Sequence, residues 1–384
     1  MPNPPHRETS VSAVACAPAG SGTRHVWIDH LRVGLTFLVV LHHVAIVYGG
    51  SGGWYWKELP DASSLPLVVF NATNQSFFMG FFFLLAGYYT PPAWERKGTR
   101  QFLTDRLLRL GVPLAGYFFV LSPITIALSG STSADAFLSR LARLYQKGVF
   151  EPGPLWFAEA LLLFAIAYAG WRLIARRRVP VGVGRVASLH PFIVAAVLLV
   201  GVANVVVRLW IPVGQNVFAL QLGYFPAYVL LFAVGCAAAG SRRLESVTAQ
   251  EAAPWGGLSL LLILALPAVI VRASDLGQFV GGLNPFALFY AFWDPLVGAG
   301  IILLLLHLGR RILTGNSAVM AWLARRAFGI FILHPPVVVG LSLLLRGWPA
   351  PGVWKFAVVG ALSCIVTALA ADLLLRLPGA RRVL

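Results

Sequence analysis

Charge is what this 384-residue chain has least of: Asp, Glu, Lys and Arg make up 11% of it, against about 25% in ordinary soluble domains. So few charges exclude a soluble enzyme, and 58% hydrophobic residues exclude a disordered chain. Acidic residues are scarcer still, 14 against 30 Lys and Arg, for a formal charge of +16. In a soluble domain that surplus would point to nucleic acid. Here the basic residues stand between apolar stretches, so membrane topology accounts for them and nucleic acid is not an expected partner. Cysteine is nearly absent. Cys16, Cys236 and Cys364 are widely scattered, which excludes a disulfide scaffold and leaves no pair at metal or redox spacing. Walker loops, dinucleotide fingerprints, Gly-x-Ser-x-Gly elbows and internal repeats are missing too.

What is present is long apolar runs, with a mean hydropathy of +0.77. A helical span of the bilayer needs about 20 mostly apolar residues. Ten runs qualify: 28–49, 66–89, 110–129, 154–174, 190–210, 218–239, 256–273, 283–307, 327–345 and 353–376. Two are interrupted, 66–89 by Asn71, Asn74 and Gln75, and 327–345 by Pro335 and Pro336. Strands are not expected, because an open sheet cannot satisfy its backbone in lipid. The expected fold is an all-α, polytopic membrane helix bundle of about ten transmembrane helices. With the N-terminus placed inside, 22 Lys and Arg fall in inner segments and 8 in outer ones, so both termini are expected in the cytoplasm. Residues 1–25, rich in Pro, Ala, Ser and Gly, read as a disordered cytoplasmic tail. Residues 26–384 read as one membrane domain, because no loop is long enough to hold another.

Ionisable residues inside spans are costly and mark function. The first span carries the densest set: Asp29, Arg32, Thr36, His42 and His43. Arg32 and His43 are eleven residues apart, three helical turns plus about 20°, so they share a face, which Asp29 and Thr36 join. His43 then lies about 16 Å further along the helix than Arg32. Asp29 and Arg32 also fit an interfacial snorkelling pair, and His43 a histidine bonded to a neighbouring helix. His42 points about 100° away and reads as structural. Adjacent histidines are not spaced as helical metal ligands, so no metal is expected.

Arg106 and Arg109, three apart at the start of the third span, share a face in α geometry. They read as a clamp for phosphate oxygens or as an anchor against lipid headgroups. Gly80 and Gly87, seven apart, permit close helix packing. Trp156 and Glu159 open the fourth span, Asp294 lies in the eighth, and His334 precedes two prolines that break helical hydrogen bonding. Glu159, Asp294, His334 and His43 in one bundle favour a shared polar cavity.

Taken together, the segments resemble the acyltransferase 3 family of integral membrane acyltransferases. The resemblance rests on Trp27–Arg32 followed by His42 and His43, with an arginine and a histidine separated by ten residues as Arg32 and His43 are. It continues through Phe82–Tyr88, Arg106–Arg109 running into Pro113, Gly153–Phe157 and Phe331–Pro336. Ala86 stands where the family more often has Ser. The ending 377–384 looks like the subgroup around the glucan biosynthesis protein C succinyltransferases. The resemblance covers residues 25 to the C-terminus. It implies an acyltransferase domain that moves an acyl group (acetyl, succinyl or similar) from cytoplasmic acyl-CoA to a hydroxyl, usually on a carbohydrate or lipid-linked acceptor. The implied place is the bacterial cytoplasmic membrane, with no bound cofactor and acyl-CoA as co-substrate. On that reading His43 is the catalytic base or an acyl carrier, and Arg32 assists it. Arg106 and Arg109 hold the donor, while Glu159, His334, Asp29 and Trp156 serve substrate binding. A secondary transporter is the rival, since midplane polar residues and proline-broken helices suit it as well.

Overall fold

The apolar runs fold as helices because a backbone in lipid must satisfy its own hydrogen bonds. The computed structural model describes residues 26–175, 188–239, 241 and 243–383. The expected tail 1–25, and Arg176, Arg177, Arg178, Arg185 and Arg242 of the charge count, lie outside the described residues. In chain order the helices are α1 Val26–Val47, α2 Ser64–Ser129, α3 Ala134–Gln146, α4 Trp156–Ile174 and α5 His190–Trp210. They continue with α6 Phe225–Ala238, α7 Ala249–Arg272, α8 Pro285–Ile312, α9 Ala318–Ala324, α10 Ala327–Leu344, α11 Gly352–Leu374 and α12 Ala380–Val383. The described residues contain no strand, only an isolated bridge between Val217 and Leu220. The protein is an all-α polytopic bundle.

Eight helical runs are long and apolar enough to cross a membrane, and Leu222–Ala238 is a shorter apolar helix beside them. The expected spans 66–89 and 110–129 both fall in α2. That run of 66 residues is roughly 100 Å of helix, about three times the hydrocarbon core, so it has to turn back. Gly98 makes the turn, at φ 70° and ψ 169°, a conformation open to a residue without Cβ. A Lys97–Asp105 ion pair and a Trp94 to Thr99 hydrogen bond close it. The expected interruptions do not break helices. Pro335 and Pro336 sit within continuous α10.

Asn71, Asn74 and Gln75 cross-link α2 to its neighbours instead. Asn71 Nδ2 donates to the His42 carbonyl and Asn74 Nδ2 to the Leu38 carbonyl, both at 3.1 Å, and Gln75 Nε2 donates to Tyr228 Oη at 2.9 Å. Such bonds between membrane helices contribute about 0.6 kcal/mol each on average. Close approach supplies the rest. A Cβ on Gly87 would collide with the Phe232 carbonyl, and one on Gly235 with the Leu84 carbonyl. These two glycines therefore let α2 and α6 touch backbone to backbone.

The connections 48–63, 130–153, 211–224 and 273–284 gather at the end of the bundle where α1 stops. Tyr55 meets Tyr117 there at 2.9 Å, and Val213 N donates to the Val280 carbonyl. The opposite end, where α1 starts, is rich in arginine and stitched by Arg326–Asp372, Arg243–Glu251 and Arg310 to the Glu245 carbonyl.

Candidate active site

A cavity of about 1180 Å³ opens among the loops at the end where α1 stops. His42, His43, Trp54, Asn71, Trp156 and Tyr228 are among its walls. It is somewhat larger than the 300–1,000 Å³ usual for small-molecule sites. Its rim carries Lys57, Arg140 and Glu151.

The turn of α1 that reaches the cavity is fixed to α2 by the bonds from Asn71 and Asn74 to the His42 and Leu38 carbonyls. His43 Nδ1 lies 2.9 Å from the Val39 carbonyl and 3.1 Å from His334 Nε2. His334 is fully buried, and its Nδ1 lies 2.7 Å from the Phe331 carbonyl. A carbonyl only accepts hydrogen bonds. Both Nδ1 atoms therefore carry the proton when the rings are neutral, and both Nε2 atoms are bare. His334 Nε2 uses its lone pair toward His43. His43 Nε2 has no hydrogen-bond partner among the described residues and is not sealed from the cavity. Trp54 stacks on His43, with ring centroids 4.1 Å apart and planes 24° apart. His42 stacks on Phe78, and its buried Nδ1 has no partner, so nothing fixes its tautomer.

Trp54 belongs to the loop 48–63, which is latched to the start of α11. Gly352 N donates to Asp61 Oδ2 at 2.8 Å, Val353 N to Ser63 Oγ at 3.1 Å, and Lys355 pairs with Glu58 at 2.8 Å. The Ser63 hydroxyl, and after it the Gly352 amide, holds the Asp61 carboxyl below the usual carboxylate range.

The far wall includes Tyr224 and Tyr290. Behind them Arg208 pairs with Asp294 at 2.9 Å, with side chains 2% and 5% exposed. The guanidinium sits 5.3 Å from the Tyr224 ring and 5.2 Å from the Tyr290 ring, and Nε donates to the Gly223 carbonyl.

The residues expected from sequence divide into two groups. His43 and Trp156 line the cavity, and His334 backs His43. Trp156 stacks on Tyr228 with planes 20° apart. Asp29 and Arg32 pair at 3.5 Å at the arginine-rich end, where Arg32 is exposed. Arg106 and Arg109 belong to that end too, and the cavity walls include none of these four.

Two expectations need correction. Arg106 and Arg109 do not sit on one regular α turn, because Leu107–Gly111 is π-helical. Pro113 has no amide for the Arg109 carbonyl, and Val112 N reaches the Leu107 carbonyl instead, widening the turn. Arg106 is half-buried over the Phe102 ring at 5.3 Å while Arg109 is exposed. The second correction concerns the shared polar cavity. Asp294 is taken up by Arg208, and Glu159, half-buried on α4, is not in the cavity wall.

Sequence reasoning missed Trp54, which no local pattern ties to His43, and the Arg208–Asp294 pair. It read Asn71, Asn74 and Gln75 as breaks, although their spacing of three and four places them on one helix face. Among the described residues no group of three His, Cys, Asp or Glu is placed to hold a metal ion.

Comparison with known proteins agrees with this picture. A stretch of 91 residues is 29% identical to glucans biosynthesis protein C of Escherichia coli K12, covering 24% of this chain and 23% of that protein. The same match occurs in the K12 strains DH10B and MC4100/BW2952. The match thus spans less than a quarter of the curated relatives' length. No solved structure matches. The family model described as an acyltransferase domain covers residues 25–375, nearly the whole chain, and the protein therefore belongs to the acyltransferase 3 family of membrane acyltransferases.

Proposed function

We propose that the protein is an O-acyltransferase of the bacterial cytoplasmic membrane, crossing it ten times with both ends inside. It moves an acyl group from cytoplasmic acyl-CoA to a hydroxyl of an envelope glycan or glycolipid, and glucans, after which its relative is named, are the first acceptors to try. The observation that carries the reading is His43. Its Nδ1 is tied to a carbonyl and a second imidazole, while its Nε2 is bare at the wall of a cavity large enough for a sugar chain. Trp54 and Trp156, each half-buried in the wall, suit the apolar faces of sugar rings, and Gln75 offers its amide oxygen beside them.

In the reaction, His43 Nε2 takes the proton of the acceptor hydroxyl as its oxygen attacks the thioester carbon. The new C–O bond forms, the C–S bond breaks, and the thiolate leaves with the electron pair. The imidazolium returns its proton to that sulfur, which restores the base. The donor's phosphates are held at Arg106 and Arg109, with Arg32 beside the path. Its acyl arm has to span about 16 Å from the level of Arg32 to His43, because the cavity walls stop short of the three arginines.

The test uses the protein in lipid nanodiscs, radiolabelled acetyl-CoA and succinyl-CoA as donors, and glucan oligosaccharides as acceptors. His43→Ala should lower transfer by about 10²- to 10⁴-fold, the usual weight of a general base, with unchanged expression and elution. Transfer at the wild-type rate in that variant overturns the assignment.

A further inference from the structure

The two histidines form a hydrogen-bond chain with a fixed direction, and a proline sets that direction. In a regular helix the amide of residue 335 would donate to the carbonyl of residue 331. Residue 335 is a proline and has no amide hydrogen. The Phe331 carbonyl is thereby left for His334 Nδ1, 2.7 Å away. That bond makes Nδ1 the protonated nitrogen of His334 and leaves its Nε2 as a lone pair, 3.1 Å from His43 Nδ1. The single Nδ1 hydrogen of His43 is shared between the Val39 carbonyl and this lone pair, and the hydrogens point one way, from the cavity through His43 and His334 into α10. His334 has no exposed surface and does not line the cavity, so it cannot touch an acceptor there.

We infer that His334 is a positioning residue for His43, and that Pro335 keeps it in the tautomer that accepts. This deepens the reading of His43 as the base and rests on it. When His43 Nε2 receives the acceptor's proton, the ring becomes an imidazolium and its Nδ1–H bond to His334 becomes charge-assisted, hence shorter and stronger. The positive charge is shared with a second ring at no cost in rearrangement, because His334 Nε2 is already bare and in place. When the thiolate takes the proton back, both rings return to their starting tautomers. A buried carboxylate would serve the same office. Two neutral imidazoles do it without placing a permanent charge in the membrane interior.

Three variants test the inference. His334→Leu removes the acceptor, His334→Gln replaces Nε2 with an amide that can present oxygen to His43, and Pro335→Ala leaves both histidines intact but supplies an amide to the Phe331 carbonyl. With the donors and glucan oligosaccharides named above, His334→Leu and Pro335→Ala should lower kcat by about tenfold to a hundredfold, at the low end of general-base effects. KM should stay within about threefold, and His334→Gln should recover most of the loss. A second readout needs no turnover. Diethyl pyrocarbonate attacks the bare nitrogen of a neutral imidazole, and mass spectrometry gives its rate at His43. That rate should be high in the wild type and fall severalfold in Pro335→Ala. If His43→Ala is inactive while Pro335→Ala and His334→Leu label and turn over as the wild type does, the role of His334 is refuted and that of His43 stands. If His43→Ala keeps transfer, the reading of the site itself fails.

Discussion

Removing the carboxylate of Asp294 should damage the protein more than any other single truncation outside the site. The Arg208–Asp294 pair is 2.9 Å long, and its side chains are 2% and 5% exposed. Without Asp294, Arg208 keeps only its bond to the Gly223 carbonyl and its two tyrosine faces, and its Nη1 already lacks a partner. Breaking a buried pair by deleting one member costs about 3–5 kcal/mol, because the other charge stays desolvated. At about 1.4 kcal/mol per factor of ten, Asp294→Ala should shift the unfolding equilibrium by roughly two to four decades. Arg208→Met together with Asp294→Leu should cost less than either single truncation, since the desolvation penalty leaves with the charges. The assay is reversible unfolding in mixed micelles of sodium dodecyl sulfate and a neutral detergent, followed by tryptophan fluorescence. A loss below about 1 kcal/mol for Asp294→Ala, or a double variant as unstable as the sum of the singles, would refute the reasoning.

Other perturbations give separate checks. Gly87→Val should force α2 and α6 apart at the Phe232 carbonyl, costing about 1–3 kcal/mol or more in the same unfolding assay. Arg106→Ala combined with Arg109→Ala should raise KM for acyl-CoA by about tenfold to a hundredfold, the worth of losing charged hydrogen bonds, while kcat at saturation changes little. The Asp61 latch should be present at neutral pH and be lost as pH falls through the depressed value of its carboxyl. Hydrogen exchange across 48–63 should therefore speed up only on strong acidification, and in Asp61→Asn should already be fast at pH 7.

Much of the architecture was legible because lipid leaves few choices. Apolar runs of about 20 residues have to be helices, and the described helices lie where those runs do. The turn at Gly98 was not read, because a single glycine in a polar stretch carries no period. Within the site, His43 and His334 announced themselves as imidazoles where imidazoles are costly, yet nothing in their spacing of 291 residues says that they touch. Pro335 read as a helix breaker when its effect is on a side chain. Arg106 and Arg109 were placed by assuming 3.6 residues per turn, which the π turn before Pro113 does not obey. Residues that act through their own helix were visible; those that act through a loop or a distant helix, Trp54 and Arg208 above all, were not.

The latch between loop 48–63 and α11 ties the site to the order in which the chain is made. Glu58 and Lys355 are 297 residues apart, and synthesis at about 5–20 residues per second separates their appearance by roughly 15–60 s. Throughout that interval the loop that carries Trp54 lacks its anchor on α11, although Tyr55 can already reach Tyr117. A nascent chain on the ribosome, or one truncated before α11, thus carries His43 in an unfinished pocket. The wall over His43 is complete only once α11 has been inserted.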